Sequence, residues 1–200
     1  MERSRFSWIP NAISLARLAC LPVLLALAWS GQDRWFAWLL LPALASDVLD
    51  GWLARRLDAV SRLGSLLDSV ADILLVLVMV YAIWPLHPGV AQEHGWIFLG
   101  VVAIWCVAHL ASLLRYGRLA SFHTRLVRAG IFAFSLFAVV LFWWGLQPQL
   151  LYFAAILCSL GAIEHFILLA LLPQWTPDLT GGIPEALRLR KATGSDHTAN

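Results

Sequence analysis

Between residues 129 and 163 the chain carries no charged side chain, and between 73 and 86 it carries none either. Such stretches are measured against the bilayer, whose hydrocarbon core takes about 20 mostly apolar helical residues to cross. The composition agrees: of 200 residues, 60% are apolar and 13% charged, and the mean hydropathy is +0.76. These values exclude an ordinary soluble domain and a disordered chain. They describe an integral membrane protein nearly all of which is membrane. A net charge of +2 is too small to imply a nucleic-acid partner. Cys20, Cys106 and Cys158 each sit in an apolar stretch without C-x-x-C spacing, so they read as small buried hydrophobes rather than disulfide or zinc ligands.

Apolar runs and their breakers give six spans, about 12–29, 36–55, 65–84, 96–115, 128–146 and 150–172. The expected fold is therefore an all-α integral membrane protein of six transmembrane helices with a cytoplasm-facing cavity. Residues 1–172 form the membrane domain and 173–200 an exposed cytoplasmic tail. Arg3 and Arg5 precede the first run as in a signal peptide, but Asn11, Ser14 and Arg17 interrupt it, so it reads as a retained span. Alternating the connections between two sides leaves Arg34 alone on one and the other 13 of the 14 basic residues opposite. The positive-inside rule then places both termini in the cytoplasm. Trp8, Trp29, Trp35, Trp84, Trp96, Trp143 and Trp175 fall near span ends, where an amphipathic indole prefers the headgroup layer. His87 and His94, in a connection expected over 85–95, read as solvent groups on the far side.

Charge inside a span is costly and marks function. Asp47, Asp50, Asp68 and Asp72 fall in the facing ends of the second and third spans. At 1.5 Å per residue, Asp47 lies about 12 Å before Arg55 and Asp72 about 12 Å after Gly64, so an antiparallel hairpin brings the two pairs to similar depth. Spacings of i,i+3 and i,i+4 put each pair on one helix face. Four such carboxylates repel unless a cation joins them. All-oxygen ligands suit Mg²⁺ or Mn²⁺, and four can hold two ions, an arrangement that stabilises attacking and leaving oxygens in phosphoryl transfer. Gly51, Ala54 and Gly64 remove side-chain bulk where a nucleotide could approach backbone. Arg55 offers a planar cation for phosphate. The plain alternative is a set of salt bridges to Arg55, Arg56 and Arg62.

The stretch DVLDGWLARRLDAVSRLGSLLDSVAD, residues 47–72, resembles the signature of the CDP-alcohol phosphatidyltransferase family, D-x2-D-G-x2-A-R-x8-G-x3-D-x3-D, at every fixed position. PNAISLARLACLP, residues 10–22, resembles a P-N-x-[IL]-[ST]-x2-R-x4-P stretch of many members. The resemblance implies that an acceptor hydroxyl attacks a CDP-linked donor and releases CMP. It implies that Asp47, Asp50, Asp68 and Asp72 bind two metal ions and that Asp72 is also the general base. Gly51, Ala54, Arg55 and Gly64 would line the cytidine diphosphate pocket. CDP-diacylglycerol is the expected donor and a small alcohol, with glycerol 3-phosphate preferred, the acceptor. Transfer of a phosphoalcohol from CDP-choline or CDP-ethanolamine to diacylglycerol uses the same signature. A homodimer in a bacterial inner membrane is the expected setting.

Other polar residues have two readings each. Asn11, Ser14 and Arg17 either mark a helix start with a snorkelling arginine or reach the nucleotide. His109, Ser112 and Arg115 recur every three residues and share a face, from which Arg115 could clamp an acceptor phosphate or anchor the span. His123, Arg125 and Arg128 open the fifth span and could form a basic acceptor or lipid-phosphate pocket. Glu164 and His165 lie deep in the sixth span and read as a satisfied buried pair remote from the chemistry. A divalent-cation transporter is the competing class, disfavoured because the carboxylates gather at one face and no internal repeat is visible. A catalytically dead scaffold is disfavoured by four intact aspartates.

Overall fold

The computed structural model describes residues 9–56, 62–117, 124–172 and 181–188, with the side chains of 9–11, 47, 48, 50–56, 62–66, 68 and 69 outside that description. The described backbone forms six long helices: α1 (Ile9–Trp29), α2 (Asp33–Arg56), α3 (Arg62–Leu86), α4 (Pro88–Tyr116), α5 (Arg125–Trp144) and α6 (Pro148–Leu171). Residues 182–188 are also helical.

The breaks between helices have local causes. Gly31 sits at φ 70°, and the Gln32 N–H donates to the Leu27 carbonyl at 2.9 Å while the Gly31 N–H donates to that of Ala28 at 3.2 Å. This double bond is the Schellman closure of a helix, and it needs a left-handed residue that glycine supplies without strain. Asp33 then opens α2 where the helix dipole favours an anion. Pro88 and Pro148 each stand in the first helical position, where the missing N–H costs nothing. For that reason the connection expected over 85–95 is absent: α3 runs to Leu86, α4 begins at Pro88, and His87 alone separates them.

Four described stretches are long and apolar enough to cross a membrane: Ala12–Trp29, Pro88–Tyr116, Arg125–Trp144 and Pro148–Leu171. In α3 the apolar part is Val70–Leu86. α2 and α3, of 24 and 25 residues, are comparable in length to the other helices. The fold is thus that of an α-helical membrane protein. Large apolar side chains point outward along it, with Trp29 82%, Trp96 72%, Trp144 71% and Leu114 79% exposed, the pattern of a surface that meets lipid instead of water.

The chain divides into two compact units, Met1–Glu93 with Ala138–Gly145, and His94–Phe137 with Leu146–Asn200. In the first, α1 packs against both α2 and α3. Leu24, Phe36, Leu40, Met79, Ile83 and Leu141 are fully buried there, and the Phe36 ring meets Phe142 at 4.6 Å. In the second, α5 and α6 approach through glycines. A Cβ on Gly130 would lie 3.2 Å from the Cys158 backbone, and one on Gly161 3.3 Å from the Val127 Cα. Small residues allow such contact where no hydrophobic effect drives helices together in lipid.

Several expectations are corrected. His94 is buried, its ring perpendicular to Tyr152 at 6.0 Å, and His87 packs on Phe142 at 5.4 Å with its Nε2 3.6 Å from Asp33 Oδ1. Neither is a solvent group, because removing the expected loop draws both into helix packing. Cys106 is exposed, and Cys20 and Cys158 are half-buried, not fully buried hydrophobes. The tail is not wholly exposed: Ala186 is buried against Leu168, Leu169 and Leu172, beside Ile183. Trp8, Trp175 and His123 lie outside the described residues.

Candidate active site

Backbone geometry sets the 47–72 motif across two helix ends. Asp47, Asp50, Gly51, Ala54 and Arg55 belong to the closing turns of α2, and Gly64, Asp68 and Asp72 to the opening turns of α3. The i,i+3 and i,i+4 spacings therefore act on real helices, and each aspartate pair shares a face by register. The side chains of Asp47, Asp50, Gly51, Ala54, Arg55, Gly64 and Asp68 lie outside the described residues.

The Asp72 carboxylate is described, and its partner is unexpected. Arg17 Nη1 donates to Asp72 Oδ1 at 2.5 Å, and Arg17 Nε donates to Ser46 Oγ at 3.1 Å. Ser46 sends its own hydroxyl proton to the Ala43 carbonyl at 2.7 Å, which leaves Oγ as the acceptor Arg17 needs. The Arg17 side chain has 0% exposure and that of Asp72 45%. A ligand approaching the carboxylates thus reaches Asp72 and not the guanidinium behind it.

This geometry corrects the readings of Arg17. A snorkelling arginine keeps its head in the headgroup layer, and one that binds nucleotide presents exposed nitrogens. Arg17 does neither, because α1 packs against both motif helices and carries its cation to their carboxylate end. Arg17 is a salt-bridge partner of Asp72, and the side chains of Arg55, Arg56 and Arg62 lie outside the described residues. The signal was legible, since an arginine in an apolar run is a functional marker. Its partner, 55 residues away, was not.

Asp72 is anchored on one side by a cation and half open on the other, an arrangement that leaves one face of the carboxylate available to a ligand. Among the described residues no group of three or more His, Cys, Asp or Glu side chains gathers.

The second unit holds its own polar cluster. Ser112 is fully buried and donates to the Ala108 carbonyl at 3.0 Å, so its Oγ accepts from His165 Nε2–H at 2.7 Å. A nucleophilic serine would need the reverse direction, with its proton facing the imidazole. His109 donates from Nδ1 to the Trp105 carbonyl at 2.9 Å and stacks 5.3 Å from His165. Arg115 is exposed, and its Nη2 donates to the Leu172 carbonyl at 3.4 Å, an oxygen that also accepts from the Tyr116 hydroxyl at 2.8 Å. The shared face of His109, Ser112 and Arg115 therefore looks onto α6. Glu164 and His165 are satisfied, but not by each other: Thr124 Oγ1 donates to Glu164 Oε2 at 2.5 Å while accepting the Val127 N–H at 3.2 Å. Thr124, which sequence reading passed over, caps α5 and clamps it to α6. Arg125 and Arg128 are exposed in the first turn of α5.

Comparison with known proteins bears on both units. A family model described as CDP-alcohol phosphatidyltransferase matches residues 7–167. A cardiolipin synthase (CMP-forming) of Streptomyces coelicolor is 30% identical over 175 residues, covering 72% of this chain and 81% of that protein. A CDP-diacylglycerol–glycerol-3-phosphate 3-phosphatidyltransferase of Pseudomonas fluorescens is 36% identical over 116 residues, 54% of each chain. A chloroplastic enzyme of the same name from Oryza sativa subsp. japonica is 38% identical over 97 residues, 44% of this chain and 27% of that protein. No solved structure matches. A carboxylate motif set on two helix ends, four described stretches fit to cross a membrane and a family match that takes in both units lead to one conclusion: the chain belongs to the CDP-alcohol phosphatidyltransferase family and is an enzyme of that class.

Proposed function

We propose that this enzyme transfers a phosphatidyl group from CDP-diacylglycerol to the hydroxyl of a small alcohol, with glycerol 3-phosphate the preferred acceptor, and releases CMP. The observation that carries the reading is the complete 47–72 motif on the ends of α2 and α3, with Asp72 half open in front of a buried arginine. Asp47, Asp50, Asp68 and Asp72 would hold two Mg²⁺ or Mn²⁺ ions, which when bound supply charge neutralisation at the diphosphate. Asp72 accepts the proton of the acceptor hydroxyl, a role that suits a half-exposed carboxylate whose far side is already fixed. Gly51, Ala54, Arg55 and Gly64 take the cytidine diphosphate. Arg115, Arg125 and Arg128 are the candidates for the acceptor's negative charge. Six crossings with both termini in the cytoplasm, in a bacterial inner membrane and as a homodimer, complete the proposal.

The Streptomyces relative favours a second acceptor reading, in which the product is cardiolipin and the acceptor hydroxyl belongs to phosphatidylglycerol. One experiment separates the two. Purified protein in detergent with Mg²⁺ and CDP-diacylglycerol is offered glycerol 3-phosphate, phosphatidylglycerol, inositol phosphate or serine, and CMP is measured. Acceptor-dependent CMP that falls at least about 100-fold in Asp72→Asn is the expected result, and Arg115→Ala should raise the acceptor KM well above any change in the donor KM. No CMP with any acceptor, followed by release from CDP-choline or CDP-ethanolamine with diacylglycerol, would reverse the direction of transfer.

A further inference from the structure

We propose that Arg17 is a positioning residue of the carboxylate site: it clamps Asp72 from behind and supplies one fixed positive charge for which the divalent ions compete. This rests on the reading above that the four aspartates hold such ions. An arginine with 0% side-chain exposure in an apolar helix is held by neighbouring protein groups and not by water, and an ionisable residue so placed marks function. It bonds to Ser46, immediately before the first motif carboxylate, and to Asp72, the last. A planar guanidinium fixes the angle between those two bonds, so α1 ties the α2 and α3 halves of the motif in one orientation. The Ser46 proton is committed to the Ala43 carbonyl, which makes Ser46 a dedicated acceptor and not an exchangeable partner.

Charge accounting gives the proposal its consequence. Four carboxylates with Arg17 sum to −3, so two divalent ions bring the set to +1. Without the arginine the carboxylates sum to −4, and two ions reach neutrality. Loss of Arg17 should therefore tighten divalent-ion binding while it loosens Asp72. A residue that merely fills space would not produce that opposition.

The test compares wild type, Arg17→Gln and Arg17→Lys, purified in Mg²⁺ and then stripped of it. Mn²⁺ binding is followed by electron paramagnetic resonance and thermal stability with and without Mg²⁺. Arg17→Gln should bind Mn²⁺ at least about tenfold more tightly than wild type, and Mg²⁺ should raise its Tm by more than it raises that of wild type. Arg17→Lys keeps the charge but not the fork, so it should bind Mn²⁺ within about threefold of wild type while kcat falls at least about tenfold with both KM values little changed. Equal Mn²⁺ affinity and equal Mg²⁺-induced Tm shifts in wild type and Arg17→Gln would overturn the proposal. If Arg17→Gln does not fold, an unchanged kcat in Arg17→Lys would overturn it instead. Wild type that binds no Mn²⁺ would overturn the metal reading itself, a result distinct from both.

Discussion

Ser112 shows how a buried polar residue in this protein is used. Its single proton goes to the Ala108 carbonyl, so its oxygen serves as the acceptor for His165 and joins α4 to α6. Removing it leaves an imidazole N–H without that partner in a fully buried position. Hydrogen bonds between membrane helices contribute about 0.6 kcal/mol on average and about 1.7 at most. Ser112→Ala should lower stability within that range, measured by thermal unfolding in detergent, and leave the acceptor KM unchanged. A large rise in KM at unchanged Tm would show instead that the hydroxyl touches substrate. Arg17 and Ser46 differ from this pair in their location, since they adjoin motif carboxylates and not a helix seam. At the residue scale, Asp72 and the i,i+3 and i,i+4 spacings were legible because they are properties of neighbouring residues. The cation that meets Asp72 was not, because several arginines were available and sequence distance does not rank them.

At the scale of elements, the α5 and α6 contact depends on the absence of side chains. A Cβ at Gly130 would press on the Cys158 and Leu157 backbone at 3.2–3.3 Å, and backbone cannot yield as a flexible side chain can. Gly130→Ala should therefore cost about 1–3 kcal/mol through overpacking. Gly100 gives the opposite case: a Cβ there meets nothing within 4 Å. Gly100→Ala removes backbone entropy from the unfolded chain and should stabilise by up to about 1 kcal/mol. Melting both variants beside wild type checks the pair, and equal Tm values would show that α5 and α6 do not meet as closely as the structure has them. Helix ends were largely readable in the sequence, as Gly31, Pro88 and Pro148 show. The failure over 85–95 has a specific cause: two prolines read as a loop, whereas one closes α3 and the other opens α4.

For the whole molecule, four described stretches meet the length and apolarity that a span requires. The proposal of six implies that α2 and α3 also cross, their motif carboxylates sheltered at one end. In a background free of Cys20, Cys106 and Cys158, Gln32→Cys and Gln147→Cys should react with a membrane-impermeant thiol reagent from outside the cell. Ala59→Cys should react only after the membrane is opened. Labelling of Ala59→Cys from outside would mean that α2 and α3 enter and leave on one side, and the six-span arrangement would fall. The sequence by itself determined that the chain lies in a membrane, where its helices run and which carboxylates form a motif, since apolar length and helical spacing are local and additive. Only the tertiary structure decided that Arg17 closes on Asp72, that His94 is buried and that Ala186 returns to α6. Each of those contacts joins residues from separate segments, and what selects it is how the helices pack, which no single segment encodes.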